Sequence, residues 1–108
     1  MSSLWKTFGI AIGVAVAAGV AIAVIAYLTY DKFIQWFRDR LDFMRLDPDR
    51  LGFSKIQQHL DTGNYTVVRG VFDQETQEVL AIDQQEAKNI DLDILHNHDE
   101  DGLAVWHA

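Results

Sequence analysis

The stretch that decides the predicted fold is FGIAIGVAVAAGVAIAVIAYLTY, residues 8–30, whose 23 residues carry no charge. As an α-helix rising 1.5 Å per residue it would be about 35 Å long, enough to cross a hydrocarbon core of about 30 Å. Trp5 and Lys6 precede it, and Lys32 and Trp36 follow it. Aromatic and cationic side chains are typical of membrane interfaces. The sequence therefore predicts a transmembrane helix and a single-pass α-helical membrane protein.

A cleaved signal peptide is the rival interpretation of this stretch. Ala21-Ile22-Ala23 has the A-x-A form of a cleavage site. However, the apolar run continues for seven residues beyond Ala23, whereas the apolar region of a signal peptide ends before the cut. The uncleaved membrane helix is therefore the favoured interpretation.

The flanking cations predict the orientation of this helix. Lys6 and the α-amino group lie on its N-terminal side, whereas residues 31–50 contain five Lys or Arg. Because cytoplasmic flanks carry the excess of cations, we expect residues 31–108 in the cytoplasm and the N-terminus outside. The predicted location is a bacterial-type inner or internal membrane.

Small and β-branched residues nearly alternate from Gly9 to Val24. A period of two is usually a strand pattern. A single strand in lipid cannot satisfy its backbone hydrogen bonds without a closed barrel, and no polar face alternates here. The alternation is therefore interpreted as part of the helix.

On a helix the small residues form two rows at a spacing of four, which allow neighbouring helices to approach closely. This pattern is similar to the glycine-alternating helix of the rotor-ring c subunits of ATP synthases, although the chain lacks their second helix and intramembrane carboxylate. The resemblance implies tight lateral packing on two sides, and a lone helix is the alternative. The predicted packing residues are Gly9, Gly13, Ala17 and Ala21 in one row, and Ala11, Ala15, Gly19 and Ala23 in the other.

Asp31 to Leu46 has the apolar spacing of a long amphipathic juxtamembrane helix. Its aromatic face is predicted to dock a partner protein, with lying on the membrane surface as the alternative. The predicted docking residues are Phe33, Trp36, Phe37, Leu41 and Met44.

Ser54 and Gln57 have capping-box spacing, so Ser54 to Leu60 is predicted as a short second helix.

The C-terminal part is predicted to form a small acidic α+β domain with a ββαβ-like order. Its expected elements are two strands joined by the polar connection 73–77, then a loop, a helical turn and a last strand. The chain is thus divided into 1–30 (N-terminal tail and transmembrane helix), 31–62 (juxtamembrane and second helices) and 63–108 (the α+β domain). The expected elements are Tyr65–Phe72, Glu78–Asp83, Gln84–Asn89 as loop, Ile90–His96 and Leu103–Trp106.

The charge of the C-terminal half limits its partners. Residues 51–108 contain three Lys or Arg and eleven Asp or Glu. Such an acidic surface disfavours nucleic-acid backbones. We therefore expect no nucleic-acid partner, and basic protein surfaces or metal cations remain as candidates.

One segment, His96 to Asp101, is dense in residue types that bind metals. Imidazole and carboxylate ligands suit zinc, nickel or copper, although the spacing matches no established zinc motif and the chain has no cysteine. A solvated acidic loop is the ordinary interpretation, and no cofactor is predicted. The candidate metal ligands are His96, His98, Asp99 and Asp101.

No motif for catalysis is recognisable, and Ser54 and Thr66 have no triad context in the sequence. The leading hypothesis is a non-catalytic, membrane-anchored accessory, assembly or scaffold subunit that packs laterally. Its expected partners are membrane lipid and either copies of itself or other membrane-protein subunits, with no small-molecule substrate. The alternative hypothesis is a metal-responsive membrane tether that uses the His96–Asp101 loop.

Overall fold

A computed structural model describes residues 24–107 of the chain. In this range the chain forms five strands and three short helices. In chain order these are β1 Val24–Leu28, α1 Tyr30–Arg38, α2 Leu41–Arg45, β2 Arg50–Gln58, β3 Tyr65–Asp73, β4 Glu78–Ile90, α3 Leu92–His96 and β5 Leu103–Trp106.

The five strands form one sheet in the order β1-β4-β3-β2-β5. Strands β2, β3 and β4 make an antiparallel meander, and β5 pairs antiparallel with β2. Strand β1 joins the other edge, parallel to β4, with Val24 opposite Glu86 and Leu28 opposite Ile90. The sheet takes strands from all three segments into which the sequence was divided.

Strand β1 contradicts the predicted fold class, because it occupies the end of the proposed transmembrane helix. Its sequence, VIAYL, is rich in residues that favour strands. The argument against a strand was that its backbone would have no partner, but the backbone of β1 pairs with β4. The apolar run 8–30 was therefore misinterpreted near its C-terminal end, where Val24–Leu28 form a strand. Residues 8–23 of the segment, with all eight predicted packing residues, lie outside the described part of the chain.

The prediction of a single-pass membrane protein, with its orientation and its inner or internal membrane location, is also wrong. From Val24 to His107, no helix is long and apolar enough to cross a bilayer. The longest, α1, has nine residues, which span only about 14 Å at 1.5 Å per residue.

The long juxtamembrane helix is two short helices instead. Helix α1 begins after Thr29, whose side chain accepts a hydrogen bond from the Lys32 backbone N–H, and it ends at Arg38. Helix α2 starts anew at Leu41. Met44 of α2 is buried like Phe33 and Phe37 of α1, so the buried apolar positions continue across the break between the two helices.

The predicted second helix, Ser54–Leu60, is wrong because this segment belongs to β2. Strand β2 lies between β3 and β5, and both of its faces are covered, so it does not alternate between apolar and polar residues. Ser54 is fully buried, whereas a residue that caps a surface helix would be exposed.

The predictions for β3, the 73–77 connection and β5 are confirmed to within a residue. Strand β4 is longer than predicted, since the expected loop Gln84–Asn89 forms its second half. Polar side chains in that half have partners inside the fold. Gln85, for example, accepts a hydrogen bond from Arg69 at 2.9 Å.

Apolar clusters cover both faces of the sheet. The helix-side cluster contains Phe33 and Phe37 of α1, Ile94 of α3, and strand residues such as Val67. The second cluster, on the opposite face, is made of strand residues alone among those described. It consists of Phe53, Val68 and Phe72, with Val79, Leu103 and Val105 packed against them.

Candidate binding groove

A hydrogen-bonded network centred on the buried Ser54 links β2, β5 and the end of α3. Ser54 Oγ lies 2.6 Å from His98 Nε2, and the Trp106 indole donates to the same oxygen at 2.8 Å. The other ring nitrogen of His98, Nδ1, lies 2.6 Å from the Ile94 carbonyl. Because a carbonyl only accepts, Nδ1 carries the hydrogen, and Nε2 accepts from the Ser54 hydroxyl. Every polar atom in this network therefore has a partner.

The sheet register explains how these side chains meet. Ser54 lies opposite Ala104, and Trp106 lies opposite Gly52, two residues along the same face of β2. The chain then leaves α3 with the His98 N–H bonded to the Leu95 carbonyl at 3.1 Å, which turns the imidazole towards the sheet. The His98 ring also packs edge-on against the Phe33 and Trp106 rings.

Ser54 and His98 have the distance of a nucleophile and its general base. However, Ser54 is 0% exposed, and its oxygen also accepts the Trp106 indole hydrogen. No substrate atom can approach a hydroxyl so enclosed without moving β5. This pair could not be recognised from the sequence, since its members lie 44 residues apart and the spacing of Ser54 and Gln57 predicts a helix cap.

The surroundings of His98 shift its pKa. Burial lowers the pKa below the ordinary value of 6.5, while the bond to the Ile94 carbonyl and the charge of Asp99 oppose the shift. Protonated His98 would also give Nε2 a hydrogen, so that the Ser54 hydroxyl loses its acceptor. The groups that face the ring favour neutral imidazole overall.

We predict that the protein loses stability as the pH falls below about 6.5, the pKa of unfolded histidine. The folded pKa is lower, so the unfolded chain binds more protons in this range. The stabilisation by His98 is complete above the pKa of the imidazole in the unfolded chain. It is lost as the pH falls through the lower pKa that His98 has in the folded protein. Urea unfolding at several pH values tests this. The His98→Gln variant should lose this pH dependence, whereas His96→Gln, which changes an exposed histidine, should retain it.

Next to this network is an open groove of about 570 Å³, within the range typical of ligand sites. One wall is the end of β2, and the other is the loop that joins α3 to β5. His98 lies at the junction between the buried network and the groove. The lining residues are Lys55, Ile56, Gln57, Gln58, Tyr65, Leu95, His98, Asp99, Glu100, Asp101 and Gly102.

The loop is held by its own hydrogen bonds. The Asp99 carboxylate accepts from the backbone N–H groups of Asp101 and Leu103, both at 2.9 Å. The Gly102 carbonyl in turn accepts from the Ile56 N–H of β2 at 2.8 Å. Asp99 therefore fixes the loop, while the exposed side chains of Glu100 and Asp101 remain available to a partner.

The proposed metal ligands have other roles in this arrangement. Both ring nitrogens of His98 already have partners, and Asp99 caps the loop. Across residues 24–107, no three His, Cys, Asp or Glu side chains are grouped so as to hold a metal ion. His96 and Asp101 are exposed.

The proposed docking residues mostly lie inside the fold. Phe33, Phe37 and Met44 are at most 4% exposed, and Phe33 packs against Trp106 with ring centroids 5.5 Å apart. Trp36 and Leu41 are partly exposed. The aromatic face of α1 thus has its own sheet as partner, and docking through it stays a prediction.

A second buried polar cluster fixes α1 to the sheet. Arg69 on β3 is 4% exposed and forms an ion pair with Asp83 on β4. It also donates to Gln85 and to the backbone carbonyls of Phe33 and Lys32 in α1. All five guanidinium N–H groups therefore have acceptors. Burial lowers the pKa of Arg69, and the bond and charge of Asp83 oppose that shift.

Comparisons with protein-family models, with curated proteins and with solved structures gave no match.

Proposed function

We propose that this chain is a non-catalytic binding module whose groove receives a basic segment of a partner protein. The observation that carries the proposal is the position of Glu100 and Asp101, exposed on a wall of the groove and held there by a hydrogen-bonded loop. Carboxylates in a concave site attract cations more strongly than the same charges on an open surface.

The rest of the lining is suited to a peptide. Gln57 and Gln58 offer amide groups that donate and accept hydrogen bonds, and Tyr65 and Leu95 provide apolar surface. Lys55 is the one Lys or Arg among the lining residues. The chain's formal net charge of −7 adds a long-range attraction for basic partners.

Catalysis is not part of this proposal, because Ser54 is fully buried and its hydroxyl oxygen already accepts the Trp106 indole hydrogen. The absence of enzyme activity stays a prediction.

The test is the binding of a fluorescein-labelled octa-arginine peptide, measured by anisotropy, with octaglutamate as the reverse control. The Glu100→Lys/Asp101→Lys variant should weaken binding about tenfold or more, because it reverses the charge of the groove wall. The matched control is Glu75→Lys/Glu78→Lys, which makes the same change in net charge at the opposite end of β3. The control should stay within about twofold of wild type at 0.15 M salt, where distant charges are screened.

Equal losses in the two variants would mean that only net charge attracts the peptide, and the proposal would fail. Amide chemical shifts provide a second criterion. On addition of the peptide they should change at residues 55–58 and 98–102, and changes confined to other surfaces would equally contradict the proposal.

A further inference from the structure

Arg50, the first residue of β2, has a guanidinium group whose hydrogen bonds are incomplete. Its Nη1 donates to the Phe43 carbonyl at 2.8 Å, and its Cζ lies 4.4 Å from the centroid of the Phe43 ring. Its Nε–H is enclosed and has no acceptor among the residues that the structure describes. A buried donor without an acceptor is rare in folded proteins, because it gives up its bonds to water and gains none in return.

The carboxylates nearest to Arg50 in the fold have other partners. Asp73 lies opposite Arg50 on β3, but its carboxylate accepts from two backbone N–H groups of the following turn, at 2.9 and 3.1 Å. Asp47 accepts from the Asp49 backbone N–H at 2.9 Å. The ion pairs in the described part of the chain belong to other arginines. Arg50 therefore has no anionic partner within that part.

A cavity of about 280 Å³ lies beside Arg50, where α2 ends and β2 begins. Arg45 and His107 line the same cavity, and both are exposed to solvent. Asp47 is the one acidic residue among the described lining residues. Two guanidinium groups and an imidazole thus face one small space, although the chain as a whole is acidic.

We propose that this cavity binds a phosphate group. The bond to the Phe43 carbonyl uses Nη1 of Arg50, which leaves the edge formed by Nε and Nη2. That edge of a guanidinium holds two oxygens of an oxyanion through parallel hydrogen bonds. Phosphate has a third terminal oxygen for Arg45 or His107, which a carboxylate lacks. Because Nε is enclosed, the partly exposed Arg50 side chain turns towards the cavity on binding.

The size and walls of the cavity limit the ligand. Its volume is just below the range of about 300–1,000 Å³ that is typical of ligand sites, so the ligand is small. Met44 and Leu51 are buried residues of the wall. Apolar walls reduce the screening of charge pairs by water, and they offer a contact for a small apolar group esterified to the phosphate.

The first test is an NMR titration of the full chain with inorganic phosphate and, separately, phenyl phosphate, at constant pH and ionic strength. The Arg50 Nε–H signal and the amide signals of residues 44–51 and 107 should shift and saturate. Tighter binding of phenyl phosphate would identify an ester as the ligand, and equal binding would identify free phosphate.

The same titration separates this cavity from the groove. Lys55, the groove residue of β2 nearest to Arg50 in sequence, lies five residues along the strand, or about 17 Å away. Amide signals at residues 55–58 and 98–102 should therefore not move. Shifts centred on those residues, or no saturable shift at Arg50 up to roughly 20 mM phosphate, would overturn the proposal.

Arg50→Lys tests the guanidinium edge, because lysine keeps the charge but cannot form two parallel hydrogen bonds. Phosphate binding should weaken about tenfold. The matched control is Arg38→Lys, the same change at a half-exposed arginine of α1, and its affinity should stay within about twofold of wild type. Equal affinities of the two variants would overturn the proposal.

Arg45→Gln is an independent test that does not depend on the fold tolerating a change at Arg50. The exposed Arg45 side chain makes no hydrogen bond or ion pair in the part of the chain that the structure describes, so the variant should fold normally. It should weaken phosphate binding about threefold, because it removes one of the two guanidinium groups at the cavity. Unchanged affinity in this variant, or binding of acetate as tight as that of phosphate to wild type, would contradict the assignment.

Discussion

Replacing Asp83 with leucine is expected to lower the free energy of unfolding by about 3–5 kcal/mol. The reason is Arg69, which is 4% exposed and has Asp83 as its ion-pair partner. Without that carboxylate, a buried guanidinium keeps only neutral acceptors, namely Gln85 and two carbonyls of α1. A buried charge without an opposite charge costs much more than the pair itself contributes. Urea unfolding of the full chain measures the loss.

The matched control is Asp31→Leu, which breaks an ion pair that faces solvent. The Arg38 and Asp31 side chains are 50% and 81% exposed, and their charged atoms are 2.9 Å apart. An exposed pair contributes about 0–1 kcal/mol because water screens it. If Asp83→Leu cost no more than Asp31→Leu, Arg69 would not depend on its ion-pair partner, and the prediction would be wrong.

Arg69 has two roles, since it carries a buried charge and also holds α1 through hydrogen bonds. The double variant Arg69→Met/Asp83→Leu distinguishes between them. Removing both charges removes the unpaired guanidinium, so stability should recover by about 1–4 kcal/mol relative to Asp83→Leu alone. The hydrogen bond from Arg69 to the Phe33 carbonyl is lost in the double variant and kept in Asp83→Leu. A double variant no more stable than Asp83→Leu would show that Arg69 acts mainly by holding α1.

Local sequence predicts the strands whose borders are marked by turn residues. Strand β3 was found from its β-branched and aromatic residues between Gly63 and the polar connection 73–77. Strand β5 follows the Asp101-Gly102 turn in the same way. In both cases, residues that favour turns mark an end of the strand in the local sequence.

Strands β1 and β2 were not predictable in this way, because what defines them is a distant partner. The apolar run that ends in β1 has the same composition as a membrane helix, and only pairing with β4 near Glu86 distinguishes the two. Strand β2 is buried on both faces, so its sequence has no period of two, and Ser54 resembled a helix cap. Strand pairing across the chain overrode both local patterns.

The candidate site was predicted in part. The acidic loop was singled out as a cluster of possible ligands, and the structure places that loop along the groove. The opposite wall, from Lys55 to Gln58, was missed because it was assigned to a helix. The network of Ser54, His98 and Trp106 was missed because its residues come together only when β5 pairs with β2.

Gly102→Ala is expected to destabilise the fold by about 3–5 kcal/mol, the sum of backbone strain and a steric clash. Gly102 has a φ of 76°, a conformation that L-residues avoid. A Cβ at this position would also collide with the backbone carbonyl of Ile56, the residue whose N–H donates to the Gly102 carbonyl. A backbone atom in a paired strand cannot move aside as a flexible side chain would, so the loop itself must shift.

Gly63→Ala is the matched control, since Gly63 has nearly the same φ, 74°, but nothing within 4 Å of the added Cβ. It carries the backbone strain without the clash and should cost about 1–2 kcal/mol. Urea unfolding compares the two variants, and equal costs would contradict the role assigned to the Ile56 contact. Because Gly102 follows Glu100 and Asp101 in the groove loop, its alanine variant should also weaken octa-arginine binding, whereas Gly63→Ala should not. A stability loss at Gly102 without a binding loss would show that the loop's position is not what presents those two carboxylates.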